Sequence, residues 1–203
     1  MDPKAHWERI YREKDETEVS WHQEDPRLSL SLIEQAGIRP EEPIIDVGGG
    51  ASRLIDRLLE RGFTDLTVLD LAAEALGQAR ARLGTRAGDV DWVEADVTVW
   101  RPQRTYRLWH DRAVFHFLTE PADRARYLET LTTALEPGDF AVIATFSLTG
   151  PDKCSGLPIV RYSPESLRET LGPDFRLVAE TAEEHRTPQG KPQDFVGCLF
   201  VRE

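Results

Sequence analysis

Only two of the 203 residues are cysteine, Cys154 and Cys198. That excludes a disulfide scaffold and a four-cysteine zinc site. The histidines and cysteines show no close ligand spacing, so no metal is expected. No charge-free apolar run approaches the roughly eighteen residues of a membrane-spanning helix, and no membrane partner is expected. The opening stretch MDPKAHWERIYREKDE lacks the apolar segment of a secretory signal. A cytoplasmic location is the expectation. A basic face is also missing. The formal net charge of -11 repels polyanions, so no nucleic-acid partner is expected. What is present, 40% hydrophobic and 30% charged residues, suits one domain over 1–203 with a sizeable core.

Elements alternate along the chain. Trp7, Ile10 and Tyr11 recur at helical spacing near the start, and residues 26–36 read as a helix stopped at Gly37. The apolar run 44–47 reads as a buried strand and 51–61 as the helix after it. Residues 65–71 form a second strand, 90–96 a third and 106–115 a fourth, with a helix before the third. Pro121 opens a long helix that Gly138 follows, and a fifth strand runs through DFAVIATFS. Ser163 is placed to cap a helix ahead of Pro164 and Glu165. Two alternating stretches, FRLVAETAEEH and DFVGCLFVRE, close the chain as paired strands. Helix and strand in turn predict a parallel α/β sheet with helices on both faces. The last two strands lack a helix between them and form a hairpin, so one runs antiparallel.

The run IIDVGGGASRL (44–54) poses the functional question. A strand entering a Gly-rich turn and a helix is the usual seat of a nucleotide-like group. The dinucleotide pattern needs a third glycine, and counting from Gly48 and Gly50 that position is Arg53. The dinucleotide fingerprint fails there. Asp46 precedes the turn, Asp70 ends the second predicted strand and Asp96 the third. Three acids at successive strand ends repel a pyrophosphate and suit amines, hydroxyls and a cationic group.

Together these features resemble the class I S-adenosylmethionine-dependent methyltransferases. The resemblance covers residues 40–147 and implies a doubly wound, mostly parallel seven-stranded sheet whose reversed last strand inserts beside the fifth. In the D-x-G-x-G turn of that family, Gly48 and Gly50 admit the methionine end of S-adenosylmethionine, with Gly49 between them, and Asp46 receives its ammonium. Asp70 then takes the ribose hydroxyls, with Leu71 beside it, and Asp96 the adenine amine, with the Val97 amide at the ring. The family's third glycine falls on Ser52, a departure similar to a G-C-G-N-S-x-L variant among some protein-lysine methyltransferases. S-adenosylhomocysteine is the expected product.

The acceptor side is less defined. By resemblance Asp111 and Arg112 follow strand four and face the transferred methyl, Asp111 also touching the cofactor. Asp111-Arg112-Ala113 resembles a D-R-G segment of thiopurine S-methyltransferases. His116 reads either as a base or as a histidine packed between Phe115 and Phe117, and His110 as structural. Residues 1–36 resemble an N-terminal helical lid, with Trp21 over the cofactor; Trp7 and Tyr11 fit a lid or a docked helix equally. Residues 148–203, with Cys154, Arg161 and Tyr162, are expected to border the acceptor. The expected function is methyl transfer to an S or N nucleophile of a small molecule or a protein lysine. A non-catalytic S-adenosylmethionine-binding protein and an atypical Rossmann-type oxidoreductase are the alternatives.

Overall fold

The computed structural model describes residues 2–203. Seven strands form one sheet: β1 (Ile44–Val47), β2 (Leu66–Asp70), β3 (Val90–Glu94), β4 (Leu108–Arg112), β5 (Phe140–Phe146), β6 (Phe175–Arg186) and β7 (Pro192–Arg202). Their order is β3-β2-β1-β4-β5-β7-β6. The first five are parallel, β7 runs antiparallel beside β5, and β6 pairs with β7 as the terminal hairpin. Both the doubly wound sheet and its reversed end match the sequence expectation.

Six helices flank it: α1 (Pro3–Glu13), α2 (Arg27–Ala36), α3 (Leu54–Glu60), α4 (Ala73–Leu83), α5 (Pro121–Ala134) and α6 (Pro164–Leu171). Successive strand residues face opposite sides, so Ile44 packs with Leu32 and Leu58 of α2 and α3. Ile45 packs with Leu131 and Leu167 of α5 and α6 on the other face. Burial on both faces explains why β1, β2 and β5 are apolar runs rather than alternating ones. The Ser163 side chain caps α6 reciprocally with Ser166. No helix among the described residues is long and apolar enough to cross a membrane.

Differences from expectation concentrate where the strands meet the site. Strands two to four end earlier than 71, 96 and 115, because tight turns replace them at their carboxyl ends. Asp96 lies beyond β3 and accepts from the Thr98 backbone N–H at 2.8 Å in a local turn. The helix after the glycines starts at Leu54, not Ala51. Gly50 is left-handed at φ +44°, and Ser52 N–H bonds the Gly49 carbonyl at 2.7 Å before the helix can begin. Three features were not anticipated. Gly84–Asp89 form a 3₁₀ helix before β3, Phe115–Phe117 make a 3₁₀ turn, and Lys153–Cys154 pair with Leu157–Pro158 as a short ribbon.

Candidate active site

The carboxyl ends of β1, β2 and β4 surround a cavity of about 490 Å³, the position at which open α/β sheets bind ligands. A smaller one of about 50 Å³ adjoins it beside the glycine turn. Gly48, Trp21, Tyr11 and Arg112 line both.

The cofactor residues predicted from the sequence gather at one end. Asp70, Leu71, Asp96 and Val97 line the main cavity, while Asp46 and Gly49 line the smaller one. Gly50 lies against this wall. A Cβ there would approach Asp70 Oδ2 to 2.8 Å and the Tyr11 hydroxyl to 3.1 Å. Gly48 is left-handed at φ +67°, and its Cβ would strike Val114 at 2.0 Å.

Asp46 is held from behind. Its Oδ1 lies 2.7 Å from His110 Nδ1, and His110 Nε2 lies 2.8 Å from the Ser29 hydroxyl. His110 is therefore a positioning residue, in keeping with the structural role read from the sequence. The other oxygen of Asp46, Oδ2, is buried without a partner. An unpaired buried carboxylate oxygen fits a ligand that brings an N–H donor. Asp70 is also buried, and its carboxyl is pushed up to about 7 by that burial, reinforced by the charges of Asp46 and Glu8. Ala72 N–H donates to its Oδ1 at 2.8 Å, and Oδ2 faces the glycine turn.

The three acceptor-side candidates part ways. Asp111 does not line either cavity. Its oxygens accept from Val114 N–H at 2.9 Å, from Phe115 N–H at 3.1 Å and from the Tyr127 hydroxyl at 2.6 Å. These bonds hold the turn after β4 and direct the carboxylate to the chain itself rather than to either cavity. His116 is fully buried, against Phe117 and Phe146, and lines neither cavity. Burial and the nearby Arg112 charge depress its pKa to about 3, which keeps it neutral. It is the packed histidine of the two sequence readings. Arg112 alone faces the cavity. Around it stand Phe117, Phe146, Phe195, Cys154, Leu157 and Pro158. The Cys154 thiol is pushed up to about 12 by burial and stays protonated at neutral pH. Tyr162 is buried against Phe115, and Arg161 bonds the Gly150 carbonyl at 3.1 Å, so neither reaches the cavity.

The N-terminal segment covers the site. Trp21 stands edge-on to Trp7 at 5.6 Å and to Tyr11 at 6.0 Å, and all three line the main cavity. Two anchors hold the segment that sequence reasoning missed. Glu8 caps the start of α4 by accepting from Ala73 N–H at 2.8 Å. Glu16 lies between Arg53 Nη2, at 2.7 Å, and Arg82. Arg82 in turn donates to the carbonyls of Ala51 and Ser52 at 3.0 and 2.7 Å. No spacing rule links residues so far apart. Among the described residues no three His, Cys, Asp or Glu side chains are grouped to hold a metal ion.

Comparison with known proteins places this geometry. A family model described as a methyltransferase domain matches residues 44–138. The eEF1A lysine and N-terminal methyltransferase of Mus musculus is 24% identical over 108 residues. That match covers 53% of this chain and only 15% of the relative's own length. A structure described as "Conversion of a Disulfide Bond into a Thioacetal Group during Echinomycin Biosynthesis" superposes with a TM-score of 0.77 at 20% identity. It covers 98% of this chain and 93% of that one. A SAM-dependent methyltransferase from Anabaena variabilis superposes with a TM-score of 0.74 at 15% identity, over 100% and 96% of the two chains. At these identities the structures show a shared fold. Residues 44–138, a little under half of the chain, are thus similar to a methyltransferase domain, and the strand order and the acids around the glycine turn agree with that similarity.

Proposed function

We propose that the protein methylates an S or N nucleophile of a small molecule. The observation that carries this reading is that a single cavity joins the acids Asp70 and Asp96 to the aromatic wall of Phe117, Phe146 and Phe195. When bound, S-adenosylmethionine supplies a sulfonium methyl that the nucleophile takes by in-line displacement, leaving S-adenosylhomocysteine. In this reading Asp46 Oδ2, buried without a partner, would take the ammonium, Asp70 the ribose hydroxyls, and Asp96 with the Val97 amide the adenine edge. Leu71, which lines the same cavity, would lie beside the ribose. Gly48, Gly49 and Gly50 keep the turn free of side chains.

The chain's own part in the reaction is positioning and exclusion of water. Neither Asp111 nor His116 lines the cavity, so the reading needs no protein base from either. A nucleophile that is deprotonated in solution fits this better than one that must be deprotonated in place. Trp7, Tyr11 and Trp21 form the cover.

A protein lysine is the second reading, favoured by the lysine-methylating relative and by the net charge of -11. One assay separates them. Purified protein and S-adenosylmethionine labelled in the methyl group are incubated with lysate, then protein and small-molecule fractions are counted. Label in the small-molecule fraction is expected. Label confined to protein moves the assignment to lysine. Label in neither fraction, from protein that binds S-adenosylhomocysteine, overturns catalysis and leaves a non-catalytic cofactor-binding protein.

A further inference from the structure

Arg112, the last residue of β4, is a buried cation whose one counter-charge, Glu183, stands at ion-pair distance and leaves most of its N–H donors unused. Its side chain is 10% exposed, and a guanidinium carries five N–H donors. It makes one hydrogen bond, from Nη1 to the Trp21 carbonyl at 3.4 Å, near the limit of the interaction. Nε and Nη2 are buried and make none. The nearest carboxylate, Glu183, stands 3.7 Å from Nη2, beyond hydrogen-bond reach. Gln23 explains the gap, since its amide nitrogen donates to both oxygens of Glu183 at 3.1 Å.

The other neighbours accept nothing useful. The guanidinium lies over the Phe195 ring at 4.2 Å, and Phe117 and Phe146 complete the apolar wall. His116 is neutral and Cys154 a protonated thiol, so neither offers a counter-charge. A buried guanidinium short of partners is costly unless a ligand provides the acceptors. Nε and Nη2 share one edge of the planar fork. A carboxylate matches that edge with two parallel bonds, which a thiolate or a single hydroxyl does not.

We propose that the methyl acceptor of this site carries a carboxylate, which pairs with the Nε–Nη2 edge of Arg112 while its apolar body lies against Phe117, Phe146 and Phe195. The proposal rests on the methyltransferase reading above and names its substrate class. Nη1 is bonded to the Trp21 carbonyl and the Nε–Nη2 edge is buried, so the acid enters while the segment around Trp21 is displaced. The same cation disfavours a lysine ammonium at this position.

The test uses 2-, 3- and 4-sulfanylbenzoate and the methyl ester of each. They are titrated calorimetrically into the full-length protein loaded with S-adenosylhomocysteine. At least one acid is expected to bind roughly tenfold or more tightly than its ester, the scale of a charge-assisted pair. Arg112→Met should abolish that preference, and Arg112→Lys restore part of it, with S-adenosylhomocysteine affinity unchanged in both. Equal binding of acid and ester in every pair overturns the proposal, and that comparison needs no variant to fold. An equal loss of S-adenosylhomocysteine affinity in Arg112→Met overturns it too, because the guanidinium then serves the cofactor. Failure of the unaltered protein to bind S-adenosylhomocysteine is a different result, and it sinks the methyltransferase reading itself.

Discussion

His110 Nδ1 lies 2.7 Å from Asp46 Oδ1, across the β1–β4 pair that sets the two residues side by side. With Asp46 ionised, Nδ1–H donates to it, and Nε2 is left to accept from the Ser29 hydroxyl. The imidazole thus fixes one oxygen of Asp46 and leaves the other for a ligand. His110→Leu removes the donor and leaves the whole carboxylate buried and unpaired. Stability should fall by about 1–3 kcal/mol, and S-adenosylhomocysteine affinity should fall with it. His110→Asn, which keeps a donor, should recover part of both. Chemical denaturation and calorimetry on the two variants check this. Full cofactor affinity in His110→Leu would remove Asp46 from the ammonium site.

Asp70 gives a pH signature. Ribose hydroxyls donate best to an ionised carboxylate, and burial holds the Asp70 carboxyl up at about 7. S-adenosylhomocysteine affinity should therefore climb between pH 5.5 and 7, by up to about tenfold per unit, and level off above it. The stability sign is opposite. A carboxyl whose folded pKa exceeds its unfolded value favours folding below the unfolded value, and that contribution is lost as pH rises through about 7. Asp70→Asn should consequently raise the melting temperature of the unliganded protein at pH 8, flatten the affinity profile and weaken binding by about 1–3 kcal/mol. A profile that keeps its slope in the variant assigns the titration elsewhere.

The two kinds of signal in this sequence explain which parts were legible. Local signals carried the framework: Gly48 and Gly50 after an apolar run, an acid at or near the carboxyl end of each of the first three strands, and a terminal pair of strands with no helix between them. They placed Asp46, Asp70 and Asp96 around one cavity edge. Side-chain direction was not legible. Asp111 and Arg112 are neighbours on one strand, so they point to opposite faces, and only Arg112 meets the cavity. Long-range partners were equally hidden. Glu16 meets Arg82 from 66 positions away, and Phe195 reaches Arg112 from the second strand of the terminal hairpin.

Glu16 makes the cover testable. It ties residues 14–21 to Arg53 and Arg82, and through Arg82 to the Ala51 and Ser52 carbonyls of the glycine turn. If that segment closes over the cofactor, Glu16→Gln should speed S-adenosylhomocysteine release roughly tenfold, equivalent to about 1.4 kcal/mol. Stopped-flow fluorescence reads it, since Trp7 and Trp21 line the cavity. An unchanged release rate with a lowered melting temperature would make the pair a scaffold contact.

Asp111 and Ala113 together decide whether the turn after β4 is chemical or structural. Asp111 spends its carboxylate on Val114 N–H, Phe115 N–H and the Tyr127 hydroxyl, and Asp111 itself lines neither cavity. Those bonds fold the chain back sharply enough to hold Ala113 at φ +72°, a left-handed conformation that disfavours a Cβ. The strain amounts to about 1–2 kcal/mol, and the hydrogen bonds of Asp111 maintain it. In Asp111→Asn the amide still accepts from Val114 N–H, but Phe115 N–H and the Tyr127 hydroxyl compete for one remaining acceptor position. The variant should lose about 1–3 kcal/mol of stability. Ala113→Gly relieves the strain, so it should stabilise the parent by about 1 kcal/mol and restore part of the loss in the double variant. Turnover per folded molecule should stay near that of the parent in all three, because Asp111 lines neither cavity. A large drop in turnover for Asp111→Asn, at unchanged melting temperature, would return Asp111 to the catalytic set.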